Sequence, residues 1–526
     1  GDVPSGVRDV VRRRTALLPE PTVRLLQVAA VLGRDVDLDL LVRASGGDVD
    51  AVLDDIDPAV VHRLLGPLPD RPGTFRFSHA LVREVIADDV SSLRRARIHL
   101  RVADAIETTA GGRDDAAEIL AEHLWAAVPI GVGRRAAAAL ETAAEVAVRR
   151  YAFESAESML ERAVQLRRSA GGADDVEAEL LAASRLLSIQ RSRHGYASVA
   201  ESPHLRRAKD LAEREGRVDI LARLLWTEWA AYDSRCRYDV SDRIAERLHE
   251  LAEGTDDPLV QVTGLASLAI SRWHQGQIAE ASTMLDEAVR VGATATAPTM
   301  TLGLDLEVLL LPHPFSRYLH ALVGDAGTPA DVEAGFEALA DAAPDPYGVS
   351  LVEMLSAAAA ITTGHPDWAV RAARRGVDAD PESTFTFWGR GLQGYLAAAL
   401  IDLGQVDEGL AQLDDAVARY HDAGGRTGTV VYRASKVAGL VAAGRLDEAA
   451  AALVDAEVEL EQYRERFAAP LVVEAEARLR HARGDDPAEV AATFARAHDL
   501  AVEQGATAVA ARVVAVAQRL GVTLEP

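Results

Sequence analysis

The chain has 526 residues and a formal net charge of −25, with 49% hydrophobic and 26% charged residues. This length is too great for one compact core, although a repeat protein escapes that limit because it adds core unit by unit. The acidic excess lies mainly after residue 110, which argues against direct DNA binding by that part of the chain. The single cysteine, Cys236, excludes an internal disulfide.

The sequence also indicates in which cellular compartment the protein is found. No uncharged apolar run reaches the ~18 residues that are needed to span a bilayer, and the first residues lack the basic and apolar pattern of a signal peptide. One unpaired cysteine fits a reducing environment. We therefore expect a cytoplasmic protein without a membrane partner.

Residues 1–110 carry the pattern of a small helical domain with one β-hairpin. Three apolar helix-like stretches fill its first part, and we expect Thr22 to cap the first and Asp37 the second. The turn residues 69–73, PDRPG, stand between short extended segments and predict the hairpin. Three helices followed by a hairpin predict a winged-helix domain.

A ladder of turns organises the rest of the chain. Nine turns recur at steps of 40 to 48 residues, at Tyr151, Gly195, Cys236, Gly276, Gly324, Gly364, Gly404, Gly444 and Gly484. Such a period is typical of stacked helical hairpins. After most turns a small residue, a large apolar residue and a second small residue follow at i, i+4 and i+7, which places them on one helical face.

These patterns predict an all-α chain, in which a small winged-helix domain precedes an α-solenoid of tetratricopeptide-like helical hairpins. The repeat is longer than the usual period of about 34 residues. We predict a winged-helix domain at 1–110, linking helices and a first repeat at 111–165, and superhelical repeats at 166–526.

Two segments carry a specific resemblance. Residues 32–41, LGRDVDLDLL, and residues 75–84, FRFSHALVRE, resemble the winged-helix region of STAND-type regulatory ATPases, and residues 94–99 and 118–124 continue that pattern. Within this class they are similar to the large bacterial transcription activators of the LuxR-like and antibiotic-regulatory types, which also carry helical repeats. The resemblance covers residues 1 to about 165, and the later repeats match in style only.

The resemblance implies a nucleotide-sensing role for His79. In such families the winged helix packs on an upstream nucleotide-binding module, and a histidine after the hairpin contacts the β-phosphate of the bound nucleotide in the resting state. His79 occupies the matching position, with Ala80 where the family's motif has an aspartate. Imidazole can donate a hydrogen bond to phosphate, but a histidine at the start of a helix can also be a cap.

Motifs for catalysis are missing from the sequence. It contains no Gly-x-x-x-x-Gly-Lys-Ser/Thr loop, and no Gly-x-Ser-x-Gly, His-Glu-x-x-His or Cys-x-x-Cys. We therefore expect no catalytic residue, metal or cofactor in this chain, and the resemblance implies that ATP or ADP is bound by an upstream module. We also expect the chain to be the C-terminal portion of a larger regulator that contacts DNA only through another domain.

The aromatic residues point to a binding surface. In a tetratricopeptide register, the positions 13, 10, 6 and 3 before each turn line the concave side. The prominent side chains at these positions are Arg223, Trp226, Asp233, Trp273 and Tyr318. We predict that they bind a small-molecule inducer, or a protein or peptide partner. The alternative is that these tryptophans are core spacers, as we expect for Trp229 and Trp388.

The leading hypothesis is an effector- or partner-sensing and scaffold region of a STAND-family transcriptional regulator, non-catalytic by itself. In this hypothesis the repeats bind the inducer, and the winged helix passes that event to the ATPase through His79. Two alternatives stay open. The chain could be the sensory tail of a signalling enzyme such as a nucleotide cyclase or kinase, or a free-standing tetratricopeptide-like adaptor.

Overall fold

The structure is a computed structural model that describes residues 5–110, 114–295, 308–381 and 385–524. The chain divides into two compact units, Gly1–Ala182 and Ala183–Pro526. The domain boundaries predicted at residues 110 and 165 stay predictions. Across the described ranges no helix has both the length and the apolar character that a bilayer crossing requires.

The first unit consists of helices and one small sheet. The helices are α1 (Ser5–Thr15), α2 (Glu20–Leu32), α3 (Leu38–Ser45), α4 (Val49–Val61), α5 (Ala80–Asp88), α6 (Ser92–Ala110), α7 (Asp114–Ala126), α8 (Gly133–Arg149), α9 (Phe153–Ala170) and α10 (Ala173–His194). The last of these helices continues into the second unit. The strands are β1 (Asp35–Asp37), β2 (Leu65–Pro67) and β3 (Thr74–Phe77), and a short 3₁₀ helix covers Val128–Ile130.

The sheet has the antiparallel order β1-β3-β2. The predicted hairpin is present as β2 and β3, and β1 was not predicted because three residues give no measurable alternation. Arg76 on β3 holds β1 through two hydrogen bonds to the Asp35 carboxylate, at 2.6 and 2.7 Å. The elements follow one another in the order α2, β1, α3, α4, β2 and β3, and the winged-helix assignment stays a prediction.

The helix caps confirm one prediction and correct another. Asp37 caps α3, because its carboxylate accepts a 3.0 Å hydrogen bond from the Leu40 N–H. The prediction for Thr22 was wrong, since α2 already begins at Glu20 and Thr22 is buried in its first turn. Pro21 also lies in that turn, where its fixed φ suits the helix and its missing N–H costs no hydrogen bond.

The second unit is a series of helical hairpins. After α10 come α11 (Pro203–Arg214), α12 (Val218–Asp233), α13 (Tyr238–Glu253), α14 (Pro258–His274), α15 (Ile278–Gly292), α16 (Pro312–Val323), α17 (Pro329–Ala342), α18 (Pro346–Thr363), α19 (Pro366–Ala379), α20 (Thr386–Asp402), α21 (Val406–Asp422), α22 (Thr429–Ala442), α23 (Leu446–Tyr463), α24 (Ala469–Arg483), α25 (Pro487–Glu503) and α26 (Thr507–Arg519). Two 3₁₀ helices, Tyr196–Val199 and Arg466–Ala468, lie between them. The chain therefore has an all-α repeat fold.

The ladder of turns is confirmed at the level of the backbone. Each of the nine predicted turn residues has a positive φ, between 55° and 88°. Glycine enters this region at little cost, whereas Tyr151 and Cys236 adopt it at φ 58° and 55° despite their side chains. The geometry of the turn is thus maintained even where the glycine is not.

The register of small residues explains how the hairpins close. The small position five residues after the turn is buried in seven repeats, at Ala156, Ala200, Ser241, Ala281, Ala369, Gly409 and Ala449. A Cβ atom at Gly409 would lie only 2.8 Å from the main-chain oxygen of Ala397 on the paired helix. A larger side chain at this position would therefore force the two helices apart.

Within the second unit, early turns of the ladder meet late repeats. The Thr427 hydroxyl donates to the Asp233 main-chain oxygen at 3.1 Å, and the Ile278 N–H donates to the Gln504 oxygen at 3.1 Å. Arg512 donates to the Thr362 oxygen at 3.1 Å. We call these three links the closing contacts, because they join segments of the second unit that are about 150 to 230 residues apart in the sequence.

Candidate functional site

The inner helices of the second unit surround a cavity of about 740 Å³. Half of the twenty residues that line it are aromatic: Tyr196, Trp226, Trp229, Trp273, Phe315, Tyr318, Phe387, Trp388, Tyr395 and Tyr420. The whole chain has only 25 Phe, Trp and Tyr residues, so this concentration is far above a random distribution. An apolar and aromatic lining of this kind is typical of sites that hold small organic molecules.

The lining comes mainly from the first helix of successive hairpins. Helices α12, α14, α16, α18 and α20 each contribute side chains, and the loop at Thr427 and Gly428 closes one end. The first helix of each hairpin faces the inside of the superhelix, so one stripe from each helix meets in the same space. The closing contact between Asp233 and Thr427 holds this loop against the C-terminal end of α12.

Four of the five predicted binding residues line this cavity, namely Trp226, Asp233, Trp273 and Tyr318. Arg223 does not line it. This residue lies about one helical turn before Trp226 in α12, and it borders a separate, smaller pocket with Asp219 and Asp257. There its charge, after that of Arg217, helps to lower the pKa of the Asp219 carboxyl. The predicted role of the other four in binding stays a prediction.

His79 lies in the first unit at the start of α5. It is exposed, and its Nδ1 accepts a hydrogen bond from the Leu81 N–H at 3.3 Å, so the residue is the N-cap of this helix. Helix capping is the structural alternative to nucleotide sensing that the sequence analysis gave for His79. The imidazole Nε2 is not used by the cap.

Two lining tryptophans were expected to be core spacers. Trp229 and Trp388 are indeed buried, but both border the cavity. The ring centroid of Trp229 lies 4.7 Å from that of Trp226, and Trp388 meets the ring of Tyr196 edge-on at 6.1 Å.

The tryptophans at this cavity carry unused hydrogen-bond donors. The indole N–H groups of Trp226, Trp229 and Trp388 are buried and have no acceptor within the described ranges. Leaving a buried donor unpaired costs about 1–3 kcal/mol. By contrast, Trp368 is buried in the core and its N–H donates to the Ser356 hydroxyl at 2.9 Å. Three unpaired donors around one cavity indicate a site for a molecule with acceptor atoms.

The phenols at the cavity are also donors. Burial raises the pKa of Tyr318, Tyr395 and Tyr420 above the ordinary value, so each hydroxyl keeps its proton. The Tyr420 hydroxyl donates to the Thr427 oxygen at 3.2 Å, which fixes the loop at the end of the cavity. The cavity wall is therefore apolar and aromatic, with hydrogen-bond donors at its edges.

A polar network borders the end of the cavity at Asp233. The Nε2 of His274 lies 3.2 Å from Asp233 Oδ1, and the ring of His274 stacks on Tyr238 with centroids 4.1 Å apart. The Tyr238 hydroxyl lies 3.5 Å from Glu465 Oε1, which also accepts a 2.7 Å hydrogen bond from the Gly428 N–H. The network thus joins an early turn of the superhelix to a late one.

Glu465 in this network gives the repeats a defined pH response. Burial raises the pKa of its carboxyl from 4.5 to about 7, while nearby His274 acts in the opposite sense. The folded state therefore prefers the protonated carboxyl, and the stability that this provides is present below pH 4.5 and is lost as the pH rises through about 7.

We expect Glu465→Gln to remove this response, because the amide oxygen can still accept from Gly428 but does not titrate. Between about pH 5 and about pH 7.5, the wild type should lose roughly 2 kcal/mol of unfolding free energy relative to the variant. Urea unfolding at both pH values measures the difference. An identical pH response of the two proteins would contradict the assignment.

Within the described ranges, no three His, Cys, Asp or Glu side chains come together as a metal site would need. Cys236 is buried, and burial raises the pKa of its thiol well above the ordinary value. A thiol in this state is a poor nucleophile.

Comparisons with known proteins find no matching protein family and no matching curated protein. Among solved structures, the chain is similar to a signal transduction ATPase with numerous domains (STAND) from Pyrococcus horikoshii that has a tetratricopeptide repeat sensor. The identity is 11% and the TM-score 0.37, over 97% of this chain and 68% of that one. It is also similar to a Rap protein complexed with competence and sporulation factor, at 10% identity and a TM-score of 0.42, over 66% of this chain and 99% of that one. At such low identities the likeness concerns the fold alone.

Proposed function

We propose that the repeats of Ala183–Pro526 are a sensor that binds a small effector in the aromatic cavity. The observation that carries this proposal is the set of three buried indole N–H groups without an acceptor in the described ranges. They surround a cavity in which half of the lining residues are aromatic. A purely structural interior would pair these donors, as the core does for Trp368. The repeats bind and transmit, and they do not catalyse a reaction.

We further propose that this sensor serves a STAND-type transcriptional regulator. This part of the proposal rests on the resemblance of residues 32–41 and 75–84 to the winged-helix region of that class. In this scheme ATP or ADP is held by a nucleotide-binding module outside the chain, and DNA is contacted by a further domain. His79 would contribute its free Nε2 to the nucleotide, since its Nδ1 caps α5.

Two alternatives differ in what surrounds the sensor. The repeats could be the sensory tail of a signalling enzyme such as a nucleotide cyclase or kinase, or they could act as an adaptor for a protein or peptide. A cavity lined by ten aromatic residues favours a small apolar molecule, because a peptide needs hydrogen-bond partners along its main chain.

Effector binding is tested with the purified chain of 526 residues and a matched pair of variants. Ala358→Phe adds a ring to the cavity wall, and Ala451→Phe adds the same ring on an exposed surface of α23. We expect small molecules from an extract of the source cells, or a neutral apolar dye such as Nile red, to bind the wild type and Ala451→Phe. Ala358→Phe should bind at least about tenfold more weakly.

The result that contradicts this proposal is equal binding by Ala358→Phe and the wild type, or no binding of any small molecule. Binding of peptides alone would favour the adaptor. The regulator assignment has its own test, the intact mass and peptide map of the native protein. Peptides that contain a phosphate-binding loop and a DNA-binding domain support it, and peptides of a cyclase or kinase domain support the signalling enzyme.

A further inference from the structure

The charged residue in the lining of the aromatic cavity is acidic. Asp233 is the lining residue with a carboxylate, and none of the lining residues in the described ranges is Arg, Lys or His. A second acidic side chain, that of Glu465, lies directly behind the wall, where it accepts the hydrogen bond from Gly428. The end of the cavity at Asp233 is therefore bordered by two acidic residues.

Two basic groups lie outside the lining. His274 is buried and its Nε2 lies 3.2 Å from Asp233 Oδ1, and the guanidinium of buried Arg191 lies 5.2 Å from the centre of the Tyr196 ring. Asp233 and Glu465 are 8% and 0% exposed, and burial raises the pKa of Glu465 to about 7, so the carboxylate of Asp233 carries the negative charge at this end of the cavity. A buried carboxylate is costly, and a cation in the cavity beside Asp233 would offset that cost.

The rings add to this preference. Trp226 and Trp229 lie 4.7 Å apart, and Trp273 has the rings of Phe315 and Tyr318 edge-on at 5.1 and 5.7 Å. The face of an aromatic ring carries negative potential, and tryptophan attracts a cation more strongly than the other aromatic residues. Four of the six tryptophans of the chain line this cavity.

We infer that the ligand of this cavity is a monocation, an amine or quaternary ammonium group carried on an apolar body, with the charged group beside Asp233 and the body among the tryptophans. This inference rests on the proposed effector-binding function and names the class of effector. Oxygen atoms on the body, such as carbonyl or ether groups, would accept hydrogen bonds from the indoles of Trp226, Trp229 and Trp388.

An anionic ligand is the main competitor, because it also has acceptors for the indole N–H groups. It would have to enter a cavity whose charged lining residue is Asp233, and it would find no cationic side chain among the lining residues. Two like charges in a poorly solvated site repel each other strongly. The geometry of the donors alone does not separate these ligands, but the sign of the buried charge does.

The experiment uses three probes with the same phenylbutyl body: 4-phenylbutyltrimethylammonium, its neutral isostere (5,5-dimethylhexyl)benzene, and 5-phenylpentanoate. Binding to the chain of 526 residues is followed by tryptophan fluorescence and calorimetry. We expect the ammonium probe to bind about tenfold or more tightly than the neutral isostere, and the carboxylate to bind most weakly.

Variants assign this preference to one side chain. Asp233→Asn should bring the affinities of the ammonium and neutral probes to within about threefold of each other, whereas Asp233→Glu should keep the preference. Asp447→Asn removes one carboxylate from an exposed surface of α23 and should leave all three affinities unchanged. If Asp233→Asn fails to fold, the wild-type ranking of the three probes and the result for Asp233→Glu still decide the question.

The outcomes separate this inference from the function on which it rests. If the neutral probe or the carboxylate binds as tightly as the ammonium probe, the cationic ligand class is wrong and the effector-binding proposal stands. If none of the three probes and no small molecule from the cell extract binds, the effector-binding proposal itself fails. A preference for ammonium that persists in Asp233→Asn would also overturn the role of the carboxylate.

Discussion

Replacing Arg512 by alanine should lower the free energy of unfolding of the repeats by about 3–5 kcal/mol. Arg512 lies on α26 with its Nε 3.1 Å from Oε2 of Glu474, whose side chain is 2% exposed. It also donates to the main-chain oxygens of Ile361 and Thr362 at the end of α18. The substitution leaves a buried carboxylate with Arg478 as its remaining partner, and it removes one closing contact of the superhelix.

The charge state of Glu474 supports this expectation. Burial acts to raise the pKa of its carboxyl, but Arg512 and Arg478 outweigh burial and hold it below the ordinary value. The stability that the ion pair contributes is therefore present at neutral pH and is lost as the pH falls through the folded-state pKa. Neutral pH is accordingly where Arg512→Ala should show its full effect.

Arg480→Ala is the control, because Arg480 also pairs with a glutamate, Glu476, but this pair lies within one helix and Arg480 is 37% exposed. Its loss should cost less than about 1 kcal/mol. Adding Glu474→Gln to Arg512→Ala should recover part of the stability, since it removes the buried carboxylate and leaves without a carboxylate partner only the more exposed guanidinium of Arg478. Equal urea midpoints for Arg512→Ala and Arg480→Ala would show that the buried pair does not hold the superhelix closed.

Much of the fold could be predicted because the repeat is written into the local sequence. A left-handed turn needs a residue that tolerates positive φ, and a close helix pair needs a small side chain five positions later. Both requirements recur with the period of the ladder, so turns at Tyr151 and Cys236 could be placed by spacing without a glycine. Strand β1 has no such signal, because its three residues pair with a partner about 40 residues away.

The cavity could be predicted only in part, because its lining comes both from inward positions within each repeat and from contacts between distant repeats. The positions 10, 6 and 3 before a turn do face inward, as Trp226, Asp233, Trp273 and Tyr318 do. Tyr420 and Thr427, however, reach the same space through the closing contacts, and the pitch of a superhelix is not encoded in any single repeat.

The register does not show where the free space lies. Gly391 and Gly394 stand at inward positions, 13 and 10 residues before the turn at Gly404, where a missing side chain predicts room. The Sδ atom of Met354 lies 2.7 Å from the place where a Cβ on Gly391 would be, and the Tyr432 ring lies equally close to that of Gly394. These glycines therefore admit two large side chains from neighbouring helices, and the room lies instead beside the tryptophans.

Truncating Trp226 to alanine should weaken binding of the ammonium probe by about 30-fold to 1000-fold, the usual range for a central tryptophan in a binding site. Trp226 is fully buried, lines the cavity and pairs with Trp229. A fluorescence titration measures the loss. Because removing so large a buried side chain also costs about 3–5 kcal/mol of stability, the binding result needs a variant that leaves the ring volume nearly intact.

Trp226→Phe is that variant, and Trp368→Phe is its control. Both remove a buried indole N–H, but that of Trp226 has no acceptor in the described ranges and that of Trp368 donates to Ser356 at 2.9 Å. Without ligand, Trp226→Phe should therefore cost at least about 1 kcal/mol less unfolding free energy than Trp368→Phe.

For a ligand that carries acceptor atoms, the two variants should rank the other way in binding affinity, so that Trp226→Phe is the more affected. Trp226→Phe should lose affinity by about tenfold, and Trp368→Phe should bind as the wild type does, because its ring is outside the lining. A donor that destabilises the free protein and strengthens binding is the signature of a residue kept for its ligand. If Trp226→Phe instead costs as much stability as Trp368→Phe and leaves binding unchanged, Trp226 is a core spacer and the cavity is a packing defect of the superhelix.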